Sequence, residues 1–221
     1  MVTPHLDGQR AVLWDMDGTL LDSRAYHWLA WRDTMAEEGV ELSNEEFALT
    51  FGQRNDTILR RWFGPAISPA EIQRIADAKE ARYRAVLRAG GAQLLPGVAR
   101  WLAALHAAGW RQALATSAPP ENVDAILAVL DVGPYFDAIV HANHVTHGKP
   151  DPQVFQVAAA QLGVPVECCV VVEDAPAGVE AARGTGMRCI GVGPAHRELP
   201  ADLCVAALDL LDEDAFDRLL S

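Results

Sequence analysis

The sequence predicts an α/β fold in which a parallel sheet core carries an inserted α-helical cap domain. From Leu95 onward, short apolar runs alternate with helical segments, which is typical of a parallel sheet covered on both faces. An earlier apolar run, Ala11 to Trp14, reads as a first strand. Residues 24–90 contain helix signals and no strand pattern. The core is therefore predicted to be Rossmann-like and interrupted after its first strand.

The boundaries follow from these changes of pattern. Residues 1–22 and 92–221 are assigned to the catalytic core, and residues 23–91 to the helical cap. Because the insertion leaves the sheet at the carboxyl end of the first strand, where ligands bind in open parallel sheets, we expect it to cover that edge.

Capping residues locate the helices of the insertion. Asp22 and Ser23 can each cap the first helix, and Ser43 and Ser68 both have a glutamate three residues later, the spacing of a capping box. The expected helices span residues 24–38, a short segment after Ser43, 56–63 and 69–88.

The core segments follow in regular order. The expected helices are 98–107, 120–130, 152–162 and 177–184, and the expected strands are 112–115, 138–141, 168–172 and 188–192. An edge strand at 203–208 and a closing helix at 212–220 complete the predicted core.

Composition excludes several classes of protein. The net charge of −12, with no basic block, argues against non-specific nucleic-acid binding. No apolar run has the roughly 18 residues that span a bilayer, and Met1 to Arg10 is too polar for a signal peptide.

The four cysteines form no CxxC pair, which favours core thiols in a reducing cytoplasm. No heptad pattern indicates an oligomer, so a monomer is expected.

Polar residues stand where four predicted strands end, and a parallel topology brings them together. They are Asp15 and Asp17, Thr116 and Ser117, Lys149, and Glu173 with Asp174. Clustered carboxylates favour a hard cation such as Mg²⁺. A lysine with hydroxyl groups favours an anion, so the cluster suits a phosphoryl group. One aspartate can attack while its neighbour moves protons.

These motifs, in this order, resemble those of the haloacid dehalogenase superfamily. The resemblance implies Asp15 as the nucleophile that forms an aspartyl-phosphate, and Asp17 as the general acid and base, with its backbone carbonyl on Mg²⁺. It further implies that Thr116 holds the phosphoryl oxygens and Lys149 positions nucleophile and phosphate. Metal binding by Asp15, Asp17, Glu173 and Asp174 is part of the same implication. The second aspartate distinguishes this chain from dehalogenases, which lack it and need no metal.

Residues 22–31 resemble the branch of the superfamily that contains β-phosphoglucomutase and sugar phosphatases. His27 matches the cap-hinge histidine of the mutase, and Lys79 matches its cap lysine. Arg54, in a cap loop, could reach a second anionic group, and Ser117 is a further candidate contact. Two departures count against the mutase. Thr116-Ser117-Ala118 stands where the mutase has a Ser-Ala-Ser pattern. The loop Gly52-Gln53-Arg54-Asn55 is one residue shorter than the corresponding loop of the mutase.

Simpler interpretations stand beside these assignments. His27 could be a packing residue, and the charged helix face around Lys79 favours a solvated lysine. The regular spacing of His141, His144 and His147 suggests zinc, but without a cysteine or an aligning helix it does not favour a zinc site.

The sequence thus predicts a Mg²⁺-dependent phosphatase that hydrolyses a small phosphorylated metabolite, a sugar phosphate, through an aspartyl-phosphate. Two alternatives remain open. One is a β-phosphoglucomutase-like sugar phosphate isomerase, and the other is a non-catalytic binding protein of the same fold.

Overall fold

A computed structural model describes residues 10–221, and its central feature is a parallel sheet with strand order β3-β2-β1-β4-β5-β6. The six strands are β1 (Ala11–Trp14), β2 (Arg111–Ala115), β3 (Ala138–Val140), β4 (Cys169–Glu173), β5 (Arg188–Val192) and β6 (Leu203–Val205). Residues 1–9, which hold the start of the predicted core and most of the segment judged too polar for a signal peptide, lie outside the described residues.

Helices cover both faces of the sheet, which explains why the inner strands are apolar on both sides. The core helices are α5 (Val98–Ala107), α6 (Pro120–Leu130), α7 (Gln153–Leu162), α8 (Pro176–Thr185) and α9 (Ala215–Leu219). All four residues of β1 and all five of β4 are buried. Two apolar clusters, one on each face, use alternate residues of these strands, as the two-residue period of a strand requires.

The register of the sheet places the strand ends at one level. Trp14 pairs with Leu114 of β2 and with Val172 of β4. The next residue of β1, Asp15, therefore lies level with Ala115 and Glu173, and its backbone N–H donates to the carbonyl of Val172 at 3.0 Å. The carboxyl edge of the two central strands thus begins with a pair of acidic residues.

The insertion after β1 folds as four helices with an apolar cluster of its own. They are α1 (Arg24–Glu37), α2 (Asn44–Ala48), α3 (Asn55–Phe63) and α4 (Pro69–Gly90). The predicted capping boxes of Ser43 and Ser68 are both formed. The cluster of buried residues comprises Trp31, Met35, Leu42, Phe47, Ile58, Leu59, Ile72 and Ile75. In residues 10–221 no helix combines the length and apolarity needed to cross a membrane.

The structure corrects the end of the predicted fold. The strand expected at 203–208 stops at Val205, and the closing helix is Ala215–Leu219 rather than 212–220. Leu208 instead leaves the sheet to pack beneath α5, where its carbonyl accepts a hydrogen bond from Trp101 Nε1 at 2.8 Å. Gly97 has φ +86°, and a Cβ there would lie 2.2 Å from the backbone nitrogen of Asp209. This close approach joins segments that are far apart in the sequence, so the hydrophobic pattern of residues 203–208 could not predict it.

Smaller differences concern element ends. β4 runs from Cys169 to Glu173 rather than 168–172, so the first of the two acidic residues belongs to the strand itself. β3 ends at Val140, and α4 continues through Gly90.

The buried amide of Gln112 gives a test of the core. It accepts from Trp14 Nε1 at 3.0 Å and donates to the carbonyl of Leu102 at 2.9 Å. Replacing it in Gln112→Leu leaves both partners buried and unpaired, so we expect a loss of about 1–3 kcal/mol of unfolding free energy in urea titrations. Gln156→Leu, on the exposed side of α7, is the control and should change stability by no more than about 0.5 kcal/mol.

Candidate active site

The centre of the site is a buried lysine between two carboxylates at the ends of β1 and β4. Lys149 Nζ donates to Asp15 Oδ1 at 2.6 Å, to Glu173 Oε1 at 2.7 Å and to the carbonyl of Ala115 at 3.1 Å. All three of its N–H donors are therefore used. Burial alone disfavours the ammonium form, but Asp15 and Glu173 outweigh it and raise the pKa of Lys149. The lysine stays charged and holds Asp15 in one orientation.

One ammonium does not balance the acidic groups around it. Burial raises the pKa of Asp15 to about 7, because the attraction of Lys149 only partly offsets burial and the repulsion of Glu173 and Asp17. Burial, with repulsion from Glu173 and Asp15, raises the pKa of Asp174 well above its usual range. The positive charge of Lys149 alone is therefore too small to balance the carboxylates of Asp15, Glu173 and Asp174.

The geometry fits a hard divalent cation. Asp15, Glu173 and Asp174 each offer a carboxylate oxygen, and these oxygens lie within 4.8 Å of one another. Asp174 Oδ1 is buried and has no hydrogen-bond partner among residues 10–221, although a buried acceptor of this kind needs one. Oxygen ligands from a few carboxylates are what Mg²⁺ prefers. Glu173 is the least free of the three, because Oε1 accepts from Lys149 and Oε2 from the backbone of Ala175 at 2.8 Å.

Two glycines make room for this acidic cluster. A Cβ on Gly18, whose φ is +90°, would lie 2.0 Å from Asp174 Oδ2. A Cβ on Gly178, inside α8, would lie 1.7 Å from Glu173 Oε1. Both glycines are therefore required by the close approach of a carboxylate.

Asp17 points away from Lys149 and toward the insertion. Its Oδ1 accepts from Ser23 Oγ at 2.5 Å, from His27 Nε2 at 3.1 Å and from the Tyr83 hydroxyl at 3.3 Å. Burial alone raises the pKa of Asp17, but His27, Ser23 and the positive charge of Lys79 together outweigh it. The pKa of Asp17 therefore lies below its ordinary value. The two aspartates thus belong to different environments, one set by the core and the other by the insertion.

A hydrogen-bonded chain continues from Asp17 through the insertion. His27 stacks on Tyr83 with ring centroids 4.0 Å apart, and its Nδ1 faces Lys79 Nζ at 2.9 Å. Lys79 Nζ also donates to Glu80 Oε1 at 2.8 Å. Lys79 is only 2% exposed, so the expectation of a solvated lysine was wrong. Asp77 faces solvent, whereas Lys79 and Glu80 lie on the face of α4 that covers the site.

A cavity separates the sheet edge from the insertion and is lined by residues of both. Asp15, Asp17, Thr116, Ser117, Ala118 and Asn122 form the core side. The insertion contributes His27, Trp31, Phe47, Thr50, Phe51, Gln53, Asn55, Lys79 and Glu80. The cavity therefore has a polar floor at Asp15, with aromatic and amide side chains above it.

The known proteins that resemble this chain can now be set beside this geometry. The family model for haloacid dehalogenase-like hydrolases matches residues 9–186. The chain belongs to the haloacid dehalogenase-like hydrolase family. It is 33% identical to a β-phosphoglucomutase from Bacillus subtilis, over 93% of this chain and 95% of the relative. It is 34% identical to hexitol phosphatase B from Escherichia coli, over 82% of each chain.

A solved structure agrees with this assignment. A single-residue variant of CbbY from Rhodobacter sphaeroides, in complex with xylulose 1,5-bisphosphate, matches with a TM-score of 0.82 and 30% identity. The match covers 92% of this chain and 96% of that one. The predicted Rossmann-like core with an inserted helical cap is thus confirmed for this member of the haloacid dehalogenase-like family.

Six of the predicted site residues line the cavity, and Lys149, Glu173 and Asp174 cluster with Asp15 at its floor, but Arg54 does neither. Its Nη1 donates to the carbonyls of Val145 at 2.8 Å and Ala142 at 3.3 Å, and its Nε to Asp56 at 3.1 Å. Arg54 therefore ties the insertion to the loop before Lys149.

The three regularly spaced histidines stand apart from the acidic cluster. His141 and His144 pack with ring centroids 3.8 Å apart, while His147 Nδ1 faces Thr146 Oγ1 at 3.0 Å. The described part of the chain brings its metal-type carboxylates together at Asp15, Glu173 and Asp174, and these histidines are not among them.

Sequence reasoning missed several residues that contact this network. Ser23 was recognised only as a potential cap, but its hydroxyl donates to Asp17 and makes no cap bond. Tyr83 lies four residues after Lys79, so the helical period could have placed it on the same helix face. Glu80 and Asn122 were not singled out, because their contact joins segments far apart in the chain.

Gly178 tests whether the position of Glu173 matters. Ala normally stabilises a helix interior relative to Gly by about 1 kcal/mol. In Gly178→Ala the new methyl group instead collides with Glu173, so we expect a loss of about 1–3 kcal/mol in stability and a large loss of catalytic activity. Gly184→Ala in the same helix meets Pro152 at an ordinary 3.4 Å and should retain both. Equal behaviour of the two variants in melting and activity assays would contradict this prediction.

Proposed function

We propose that this protein is a Mg²⁺-dependent phosphatase that hydrolyses the monophosphate of a small hydroxylated metabolite, a sugar phosphate, through an aspartyl-phosphate on Asp15. The observation that carries the proposal is the Asp15 carboxylate, held by Lys149 at the floor of a cavity that the helical insertion closes. The proposal divides the chain into a catalytic core, residues 1–22 and 92–221, and a cap, residues 23–91.

The reaction proceeds in two displacements at phosphorus. In the first, an Asp15 oxygen forms a bond to phosphorus, the bond to the metabolite oxygen breaks, and protonated Asp17 gives its proton to that oxygen. In the second, Asp17 takes a proton from a water molecule as the water oxygen attacks phosphorus. The bond to Asp15 then breaks, and inorganic phosphate leaves.

The surrounding residues stabilise the charge of the phosphoryl group. Lys149 supplies a fixed positive charge beside Asp15, and Thr116 and Ser117 at the end of β2 supply donors for phosphoryl oxygens. Asp15 and Asp174 would hold Mg²⁺, with the backbone carbonyl of Asp17 and with Glu173 assisting. The metal ion would neutralise the phosphate and the crowded carboxylates.

His27 and Ser23 favour the ionised form of Asp17, which suits it to accept the proton of water in the second displacement. For the first displacement Asp17 must carry a proton into the cavity. We infer that it does so after turning away from these donors, toward the bound substrate.

The walls of the cavity favour one phosphate rather than two. The loop after β2 enters α6 through Pro119 and Pro120, which have no backbone N–H to offer at a helix start that otherwise attracts anions. Among the lining residues that the structure describes, Lys79 is the only lysine or arginine, and it already contacts Glu80 and His27. A neutral hydroxylated group with an apolar face fits the aromatic and amide side chains better than a second phosphate does.

Two other functions are compatible with the family. A β-phosphoglucomutase-like isomerase is favoured by the presence of His27 and Lys79, which the mutase resemblance includes, and by the 33% identity to the β-phosphoglucomutase of Bacillus subtilis. A binding protein without turnover is the less favoured alternative, because the chain has every residue to which the family resemblance assigns a role in turnover.

Removal of the nucleophile tests the proposed chemistry. Asp15→Asn should lower phosphate release from a panel of sugar monophosphates by at least about 1,000-fold, because the amide cannot attack phosphorus. Asp22→Asn, an exposed aspartate in the loop after the same strand, is the control and should retain activity. EDTA should abolish turnover and Mg²⁺ restore it. Full activity of Asp15→Asn, or in EDTA, would overturn the mechanism.

The products distinguish phosphatase from mutase. The protein is incubated with β-glucose 1-phosphate and a trace of glucose 1,6-bisphosphate, and free phosphate and glucose 6-phosphate are both measured. We expect free phosphate, because the described lining of the cavity offers no unengaged cation for the second phosphate of a bisphosphate. Formation of glucose 6-phosphate without phosphate release would establish the isomerase instead.

A further inference from the structure

We propose that Glu80 and Asn122 form a latch between the insertion and the core, which holds Lys79 and His27 in place for Asp17 only when the insertion is seated on the sheet edge. The proposal makes Glu80 and Asn122 positioning residues that act through Lys79 and His27. It rests on the proposed role of Asp17 as general acid and base.

The first observation is the set of donors around the Glu80 carboxylate. Glu80 is 6% exposed, and a buried carboxylate is costly unless its oxygens are paired. Oε1 accepts from Lys79 Nζ and from Asn55 Nδ2, both at 2.8 Å, and Oε2 accepts from Asn122 Nδ2 at 2.6 Å. Lys79 and Asn55 belong to the insertion, whereas Asn122 belongs to α6 of the core. The bond to Asn122 therefore exists only while the two parts are in contact.

The second observation is the fixed orientation of Asn122. It is 1% exposed, and its Oδ1 accepts from Arg84 Nη1 at 2.9 Å. With the oxygen used by the guanidinium, the NH₂ group faces Glu80. Glu80 and Arg84 are four residues apart on α4 and so lie on the same helix face. Both therefore hydrogen-bond to the side chain of Asn122. The contact is reciprocal, with one donor and one acceptor on each side.

The third observation connects the latch to Asp17. An ammonium group only donates, so Lys79 makes Nδ1 of His27 the acceptor and leaves the ring proton on Nε2, which faces Asp17 Oδ1 at 3.1 Å. Glu80 holds Lys79 in this position by accepting a hydrogen bond from its ammonium group. A break at Asn122 thus disturbs Glu80, then Lys79, and finally the histidine that orients Asp17. Asp17 is in this way coupled to the seating of the insertion.

Reciprocal exchange of the two side chains tests the latch. Glu80→Gln places an NH₂ group against that of Asn122, and Asn122→Asp places a carboxylate against that of Glu80. In the double variant the introduced amide can donate to the introduced carboxylate, while the amide oxygen still accepts from Lys79. With the best sugar phosphate found, we expect each single change to lower kcat at least about tenfold, with a smaller change in KM, because Asp17 is misplaced. The double variant should recover to within about threefold of the original protein.

A second readout separates positioning from general damage. p-Nitrophenyl phosphate has a leaving group that departs without a proton, so its first turnover does not need Asp17 as an acid. Hydrolysis of the phosphorylated enzyme still needs Asp17 as a base. The single variants should therefore release nitrophenolate at the original rate in the first turnover and more slowly afterwards, giving a burst. Glu38→Gln is the matched control, because it removes a carboxylate that pairs with Arg74 entirely within the insertion.

The outcomes are distinguishable. Single variants whose kcat stays within about twofold of the original protein would overturn the latch, and so would losses that the double variant does not recover. Losses confined to KM, or accompanied by an equal slowing of the first turnover, would also count against it. Asp17→Asn is run in parallel. If that variant keeps full activity on the sugar phosphate, the proposed function fails, whereas normal Glu80→Gln with inactive Asp17→Asn refutes only the latch.

Discussion

The structure depends on the balance between one buried ammonium and the carboxylates around it. Lys149 joins the ends of β1 and β4 by donating to Asp15 and Glu173, both buried at the edge of the sheet. Either carboxylate without the lysine would be an unpaired charge in a poorly solvated place, which is strongly destabilising. The same balance remains incomplete, because Asp174 adds a buried oxygen that receives no hydrogen bond from the described residues. The carboxylates lie close enough together to hold a cation, whose positive charge would offset theirs.

Local features of the fold are arranged around this cluster. The parallel register brings Asp15 and Glu173 level, and glycines at positions 18 and 178 leave open the space that the carboxylates occupy. Lys149, in the loop before α7, joins these two carboxylates. A side chain at either glycine would collide with a carboxylate of the cluster.

The two aspartates of the first motif are controlled by different parts of the chain. Asp15 is held by the core, through Lys149. Asp17 is held by the insertion, through Ser23, His27 and Tyr83. The carboxylate proposed to attack is therefore held by the core alone, whereas the carboxylate proposed to move protons depends on the position of the insertion. An insertion that seats in this way excludes bulk water from Asp15 only while it covers the sheet edge.

The sequence alone determined which strand ends bring polar side chains together. Apolar runs ending in Asp15, Thr116 and Glu173 could be placed together because parallel strands present their carboxyl ends at one edge, whatever the details of packing. It also determined the insertion between the first two strands, because capping boxes and the absence of strand patterns are local signals. Only the tertiary structure decided that Lys79 is buried, that Arg54 binds backbone carbonyls and that Glu80 meets Asn122. The reason is physical: the face that a helix turns toward the core depends on its packing against distant segments, and a charged residue carries no local sign of which partner it will meet.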